Sequence, residues 1–316
     1  MRFSLIVPYY EDPDRLDRLL RSVPVAREDI EVIVVDDCSL DQAALDALRV
    51  SWPGVRWCST RENAGAGVAR NVGLDAARGR WLVFADSDDE FLPGAFETFD
   101  GVLRPDDELV YFLAEAVQEA DGSPSVRSER INAMVTAYAR SPNVETLERL
   151  RLQHVNPVAK VYSRAFVESR GLRFDTVRNG EDVAFNVLAA MQAETLRAEL
   201  VAVYRIYRRA GSLTTDATEK DLLARLEVLG QLNERLRDLG VKERMHAGSY
   251  IARAARFGPR AWIEAFRLMV RHEMLAATLR RTRPREVVRF LRWFWRSRRE
   301  RQRLEGQTSS SVDRKL

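Results

Sequence analysis

Cysteine and histidine are scarce: the 316-residue chain holds two of the first and three of the second. Cys38 and Cys58 lack metal-ligand spacing, which excludes a disulfide-stapled scaffold and a structural zinc site and fits reduced thiols. His154, His246 and His272 read as structural or exposed positions. No apolar run reaches the roughly 18 residues of a membrane-spanning helix. Met1-Arg2 leads straight into strand-like sequence with no signal peptide, so the expectation is a cytoplasmic chain. Glycine is missing where a dinucleotide-binding fold needs it. Pro8-Tyr9-Tyr10-Glu11 follows the first strand, Gly65, Gly67 and Gly73 come a unit late, and Arg70 stands where a third glycine belongs.

What is present is a soluble globular composition, 46% hydrophobic and 31% charged. The net charge of +3 hides a division. Residues 280–303 carry eleven arginines against Glu286 and Glu300, a net of +9, and the last thirteen residues cancel, which leaves the first 279 at −6. A basic tail follows an acidic body, and the acidic body argues against nucleic acid as a partner.

Hydrophobic periodicity orders the first half of the chain. Strands are expected at 3–7, 31–35, 55–59 and 81–85, alternating with helices at 12–23, 42–50 and 68–77. This alternation predicts an α/β fold, a Rossmann-like, mostly parallel sheet flanked by helices with right-handed crossovers. A further strand is expected at 108–116, a polar loop at 119–130, helices at 143–152 and 183–191, and a strand at 201–207. Beyond Thr218 the pattern is helical, broken at Gly240, Gly258-Pro259 and Pro284.

The chemistry is expected at Trp81–Gly94, where four apolar residues give way abruptly to Asp86, Ser87, Asp88, Asp89 and Glu90. Carboxylates crowded at a strand end repel one another unless a cation sits among them, and such an end is where ligands bind in α/β sheets. Asp86 and Asp88 can turn toward one Mg2+ or Mn2+ ion. The same residues also suit a solvated acidic turn opening a helix at Leu92. Asp36 and Asp37 end the second strand on the same rim.

In order and spacing these features resemble the family 2 glycosyltransferases, inverting enzymes of the glycosyltransferase A-type fold that use nucleotide-sugars. The match runs over roughly residues 3–215: Pro8-Tyr9-Tyr10, Val34-Val35-Asp36-Asp37, Asn63-Ala64-Gly65 with Ala69-Arg70-Asn71, Asp86-Ser87-Asp88, Gly180-Glu181-Asp182, and Tyr207-Arg208-Arg209 with Gly211-Ser212-Leu213. The resemblance implies that Pro8, Tyr10 and Glu11 line the donor nucleotide, with Asp37 accepting from the base; Glu11 departs from the family's usual Asn. It implies a donor-site arginine at Arg70, set to meet phosphate or the first acid of the metal loop. It makes Asp88 the metal ligand, puts Asp86 on ribose or metal-bound water, and makes Asp182 the general base with Glu181 beside it. Each has a structural alternative: a turn or cap for Asp37, a surface salt bridge for Arg70, N-capping for Asp182. Arg208 clamps diphosphate or a charged acceptor, or is structural. The implied activity is transfer from a nucleotide-diphosphate donor, UDP-linked by family habit, to a hydroxyl of a cell-envelope polysaccharide or lipid-linked acceptor. A nucleotidyltransferase and an inactive membrane-associated scaffold of the same fold remain as alternatives.

The expected organisation is a catalytic domain at 1–217, a helical region at 218–305 ending in a basic amphipathic helix, and a disordered tail at 306–316. Arg285, Arg289, Arg292, Arg296, Arg299 and Arg303 fall within about 40° of one line on a helical projection, opposite Val287, Phe290 and Phe294. That arrangement over 284–304 suits an anionic membrane surface on the inner face of the plasma membrane; the alternative is a helix packed on its own protein or on a second subunit.

Overall fold

A computed structural model describes residues 1–209 and 218–281. Gly211-Ser212-Leu213, the basic helix expected over 284–304 and the 306–316 tail lie outside the described residues. The chain divides into two compact units, Met1–Asp216 and Ala217–Leu316.

The first unit is built on strands β1 (Phe3–Tyr9), β2 (Ile30–Asp36), β3 (Arg56–Ser59), β4 (Trp81–Phe84), β5 (Glu90–Phe91), β6 (Leu109–Gln118), β7 (Lys160–Ser163) and β8 (Leu196–Arg208). Its helices are α1 (Pro13–Arg21), α2 (Gln42–Ser51), α3 (Ala66–Ala76), α4 (Ala95–Val102), α5 (Glu129–Arg140), α6 (Val144–Gln153), α7 (Arg164–Ser169) and α8 (Glu181–Gln192). The strands form one eight-stranded sheet in the order β3-β2-β1-β4-β7-β6-β8-β5. The first four pair in parallel. β7 then runs antiparallel to both β4 and β6, β8 lies parallel to β6, and β5 lies antiparallel to β8.

Every residue of β1 and β4 is buried, as expected of central strands covered on both faces. The period of two divides them between layers: Leu5 and Val7 pack with Leu16, Leu19 and Leu20 of α1, while Ile6 packs with Ala69 and Leu74 of α3. Gly73 lets α3 approach, since a Cβ there would stand 2.3 Å from Ile6 Cγ2. On the α3 side, Phe84 meets Tyr162, Phe174 and Phe185 edge-on at 5.5, 5.1 and 5.6 Å, and Phe174 stacks on Phe185 at 4.1 Å. Each such ring contributes about 1.5–3 kcal/mol by burial, and together they fix α8 against the end of β4.

Two expectations need correction. Residues 129–140 are the helix α5, whose Ile131, Met134, Val135 and Tyr138 have helical spacing, so only the earlier part of 119–130 is loop. The acidic run opens no helix at Leu92: Glu90 and Phe91 pair with Arg205 and Tyr204 as β5, and α4 begins after Gly94, whose φ is +79°.

The second unit holds α9 (Glu219–Asp238), α10 (Gly248–Ala254), α11 (Pro259–Arg271) and α12 (Leu275–Arg281). Thr218 and Asp221 cap α9 reciprocally. His272 is buried with its ring nitrogens 3.2 Å from Glu227 and 2.9 Å from Glu234. No described helix is long and apolar enough to cross a membrane.

Candidate active site

The parallel register brings the ends of β1, β2 and β4 to one rim, with Tyr9 opposite Asp36 and Ile6 opposite Phe84. Pro8 is buried opposite Val35, while Tyr10, 44% exposed, and Glu11 are both open to solvent in the turn that follows. Glu11 has a positive φ of 54°. Its carboxylate accepts the amide of Leu40 and, at 3.3 Å, that of Asp41, while its own N–H donates to Ser39 Oγ at 3.2 Å. Glu11 therefore stitches the turn after β1 to the turn after β2.

Asp37 is almost fully buried and organises the next loop. One carboxylate oxygen accepts from Ala64 N at 3.0 Å and lies 2.8 Å from Thr60 Oγ1; the other accepts from Gly65 N at 2.6 Å. A carboxylate has about four acceptor directions, so a base would meet the one that remains. Gly65 caps α3 at φ +92°, and Gly67 lets α3 reach the segment before α8. A Cβ on Gly67 would lie 2.2 Å from Asp175 O and 2.9 Å from Glu181 Cβ.

One turn along α3 stands Arg70, with only 5% of its side chain exposed. It donates to Asp86 Oδ1 at 2.6 Å and to Glu181 Oε1 at 3.2 Å, with its guanidinium 5.3 Å from the Phe174 ring centre. Burial works against the cation, but Asp86, Glu181 and Asp182 outweigh it and hold its pKa above the ordinary arginine value. Of the two groups the sequence offered Arg70, it meets the second, Asp86, the first acid of the loop after β4. The same guanidinium joins that loop to the Glu181-Asp182 pair.

The loop after β4 holds three carboxylates in different states. Asp86 is 41% exposed and faces Arg70. Burial, then Asp86, pushes the Asp88 carboxyl upward, and Arg209 and Arg15 oppose the shift. Asp89 is buried and accepts from Tyr207 N at 2.9 Å; burial, then Asp86 and Asp88, pushes it well above the carboxylate range. The Tyr204 hydroxyl accepts from Asp86 N at 2.9 Å and hydrogen-bonds Asp89. From α1, Arg18 donates to the Asp88 carbonyl and lies 3.7 Å over the Tyr207 ring. The roles of Asp89, Tyr204 and Arg18 escape sequence reasoning, because their partners lie 70 or 118 positions away.

Asp182 occupies the first turn of α8, which Gly180 caps at φ +83° without a side-chain bond, so Asp182 is not the cap. Burial, then Glu181, raises its carboxyl to about 7, with Arg70 pulling it down and Asp86 pushing it up. A carboxylate at that value is suited to accept a proton near neutrality. Arg208 is exposed at the end of β8.

Among the described residues no three His, Cys, Asp or Glu side chains converge as a cation cage. A hard divalent ion held by one or two carboxylates and completed by substrate phosphate needs no such cage. Asp88 and Asp86 fit that demand: two oxygen donors on one loop, with Asp88 pushed upward by burial and then by Asp86.

The fold is a glycosyltransferase A-type nucleotide-sugar fold. The chain belongs to glycosyl transferase family 2, whose family model matches residues 4–161. It is 31% identical over 218 residues to the succinoglycan biosynthesis protein ExoO of Rhizobium meliloti, covering 67% of this chain and 62% of that one. It therefore spans less than two thirds of that relative's length. The crystal structure of Staphylococcus aureus TarS 1–349 in complex with UDP-GlcNAc superposes with a TM-score of 0.60 at 20% identity, covering 85% of this chain and 72% of that one. A mannosyltransferase from Pyrobaculum calidifontis in complex with GDP-Man and Mn2+ superposes with a TM-score of 0.51 at 16% identity, covering 91% and 77%.

Proposed function

We propose that the chain transfers a sugar, with inversion, from a nucleotide-diphosphate donor to a hydroxyl of a cell-envelope polysaccharide or lipid-linked acceptor. The Arg70 bridge carries this reading: one buried guanidinium contacts both Asp86 of the proposed donor wall and Glu181 beside the proposed base. Asp182 takes the acceptor hydroxyl proton while that oxygen forms a bond to the anomeric carbon. The bond from that carbon to the diphosphate breaks on the opposite face, and the nucleotide diphosphate leaves with the electron pair. Asp88, with Asp86, would hold Mg2+ or Mn2+, which when bound offsets the charge developing on the leaving diphosphate. Tyr10 and Arg208, both exposed on this rim, are assigned to the donor, and Asp37 to the base through its remaining acceptor direction. A nucleotide-diphosphate donor is supported by the fold shared with proteins solved with UDP-GlcNAc, with UDP and with GDP-Man.

Titrating UDP and GDP with and without Mn2+ tests the reading. Cation-dependent nucleoside diphosphate affinity, together with an Asp182→Asn variant that binds donor but does not transfer, supports it. Pyrophosphate release from a nucleoside triphosphate would instead mark a nucleotidyltransferase, and absence of nucleotide affinity would mark a scaffold.

Residues 1–217 form the catalytic domain in this reading, and the helical region brings it to an anionic membrane surface. Support comes from α11, where Ile263, Phe266 and Val270 are exposed beside exposed Arg260, Arg267 and Arg271, a pattern that favours an anionic interface. Deleting residues 280–316 should weaken binding to phosphatidylglycerol vesicles; unchanged binding would remove the tail from that role.

A further inference from the structure

A fully buried lysine lies behind the proposed base. Lys160 on β7 is 1% exposed, and its Nζ donates to the His154 carbonyl at 2.8 Å and to Asn186 Oδ1 at 2.7 Å, with the Tyr111 ring centre 4.7 Å away. A carbonyl, an amide and an aromatic face are its partners, none of them a carboxylate. Burying an amine without a countercharge is costly, and an apolar side chain would fill the same volume without that cost. The setting is extreme: the Tyr111 hydroxyl and both His154 ring nitrogens are buried with no hydrogen-bond partner.

The chain of bonds continues in one direction. Asn186, also fully buried, sits one turn after Asp182 on α8. Its Oδ1 receives Lys160 and, at 2.7 Å, the Tyr162 hydroxyl. Two donors on one side fix the amide's orientation, so Nδ2 must face the other way. There it donates to the Asp182 carbonyl at 2.8 Å. The first turn of α8 otherwise follows a glycine cap with no side-chain bond.

We propose that Lys160 and Asn186 are positioning residues that lock the first turn of α8, so that the Asp182 carboxylate meets the acceptor hydroxyl in a single orientation. This rests on the reading of Asp182 as the base. The charged and titratable groups facing Asp182 are Glu181 on its own helix, Arg70 on α3, Asp86 after β4, and Lys160 and Tyr162 on β7.

The test compares three variants by kcat, donor KM and donor binding from pH 6 to 9. Asp182→Asn is read first, because near-normal turnover would remove the base and this proposal with it. Given an inactive Asp182→Asn, the informative variant is Asn186→Asp. Ionised opposite Lys160, its carboxylate still accepts from Lys160 and Tyr162, but its other oxygen faces the Asp182 carbonyl with no proton to give. Plateau kcat should fall about tenfold or more, as expected when a reacting group is misplaced, while donor affinity stays within twofold of wild type. Lys160→Met should move kcat in the same direction without adding charge. Should that variant fail to fold, Asn186→Asp decides alone, with donor binding as proof that it is folded. Wild-type plateau kcat in folded Asn186→Asp, or equal loss of kcat and donor affinity, overturns the positioning role.

Discussion

The acid limb of catalysis offers the sharpest test, because it follows from one carboxyl held at about 7 by burial and by Glu181. In the proposed mechanism only the ionised form of Asp182 accepts the acceptor proton. With a midpoint near 7, about 9% of Asp182 is ionised at pH 6 and about 91% at pH 8, so kcat/KM should fall about tenfold between them. Mn2+ beside Asp86 would move the limb toward lower pH, so initial rates should be followed down to pH 5 at saturating Mn2+. The same shift predicts stability with the opposite sense. The folded pKa lies above the unfolded value of 3.8, so the folded state alone holds a proton between the two. The associated stability is present below about pH 4 and is lost as pH rises through about 7. Asp182→Asn has no proton to lose there, and it should melt above wild type at pH 8 with a gap that narrows toward pH 5. A rate profile flat from pH 5 to 8, or an Asp182→Asn variant less stable than wild type at pH 8, would refute the placement of this group.

Arg70→Met strands Asp86 and Glu181; because Asp86 is 41% exposed, the loss should sit near the low end for a broken buried pair, about 3 kcal/mol by urea denaturation. Gly67→Ala, forced 2.2 Å from Asp175 O, should cost about 1–3 kcal/mol and weaken turnover. The control is Gly101→Ala near the end of α4, where a Cβ meets nothing within 4 Å; it should raise stability by about 0.5–1 kcal/mol with activity unchanged. Asp88→Asn should weaken Mn2+-dependent UDP binding about tenfold or more, measured by calorimetry, and leave cation-free binding at pH 8 no weaker than in wild type, since one repelling carboxylate is gone.

In the sheet's first half β1, β2 and β4 were legible because they are largely apolar runs, and burial on both faces leaves that pattern little ambiguity, although β1 continues through Pro8 to Tyr9. β5 was not legible: two residues become a strand only because β8 passes beside them. α5 is legible in its own residues, since Ile131, Met134, Val135 and Tyr138 carry a helical period, but it follows directly on a polar stretch whose composition reads as loop. In the site, residue types and order gave the candidates, while partners did not follow from local pattern. Nothing near Glu11 announces that its carboxylate holds the amides of Leu40 and Asp41, nor that Asp37 is largely occupied by Ala64, Gly65 and Thr60. Resemblance names a residue's position; only coordinates show how many of its lone pairs are already taken.

Charge balance in this site bears on the cation independently of any relative. Asp86, Glu181 and Asp182 all act on the single buried guanidinium of Arg70, while Asp88 and Asp89 add to the repulsion along the loop. The raised pKa values of Asp88, Asp89 and Asp182 come first from burial and then from neighbouring carboxylates, a negative charge that Arg70 alone does not neutralise. A diphosphate brings more charge of the same sign, so its affinity in the bare protein should be poor and should worsen as pH rises and these carboxyls ionise. A divalent ion held by Asp88 would reverse that slope, because ionised carboxylates bind a hard cation better. UDP affinity should therefore fall with pH in chelator and rise with pH in Mn2+ between pH 5.5 and 8. Parallel slopes in the two conditions would mean that the cation and these carboxylates do not share a site.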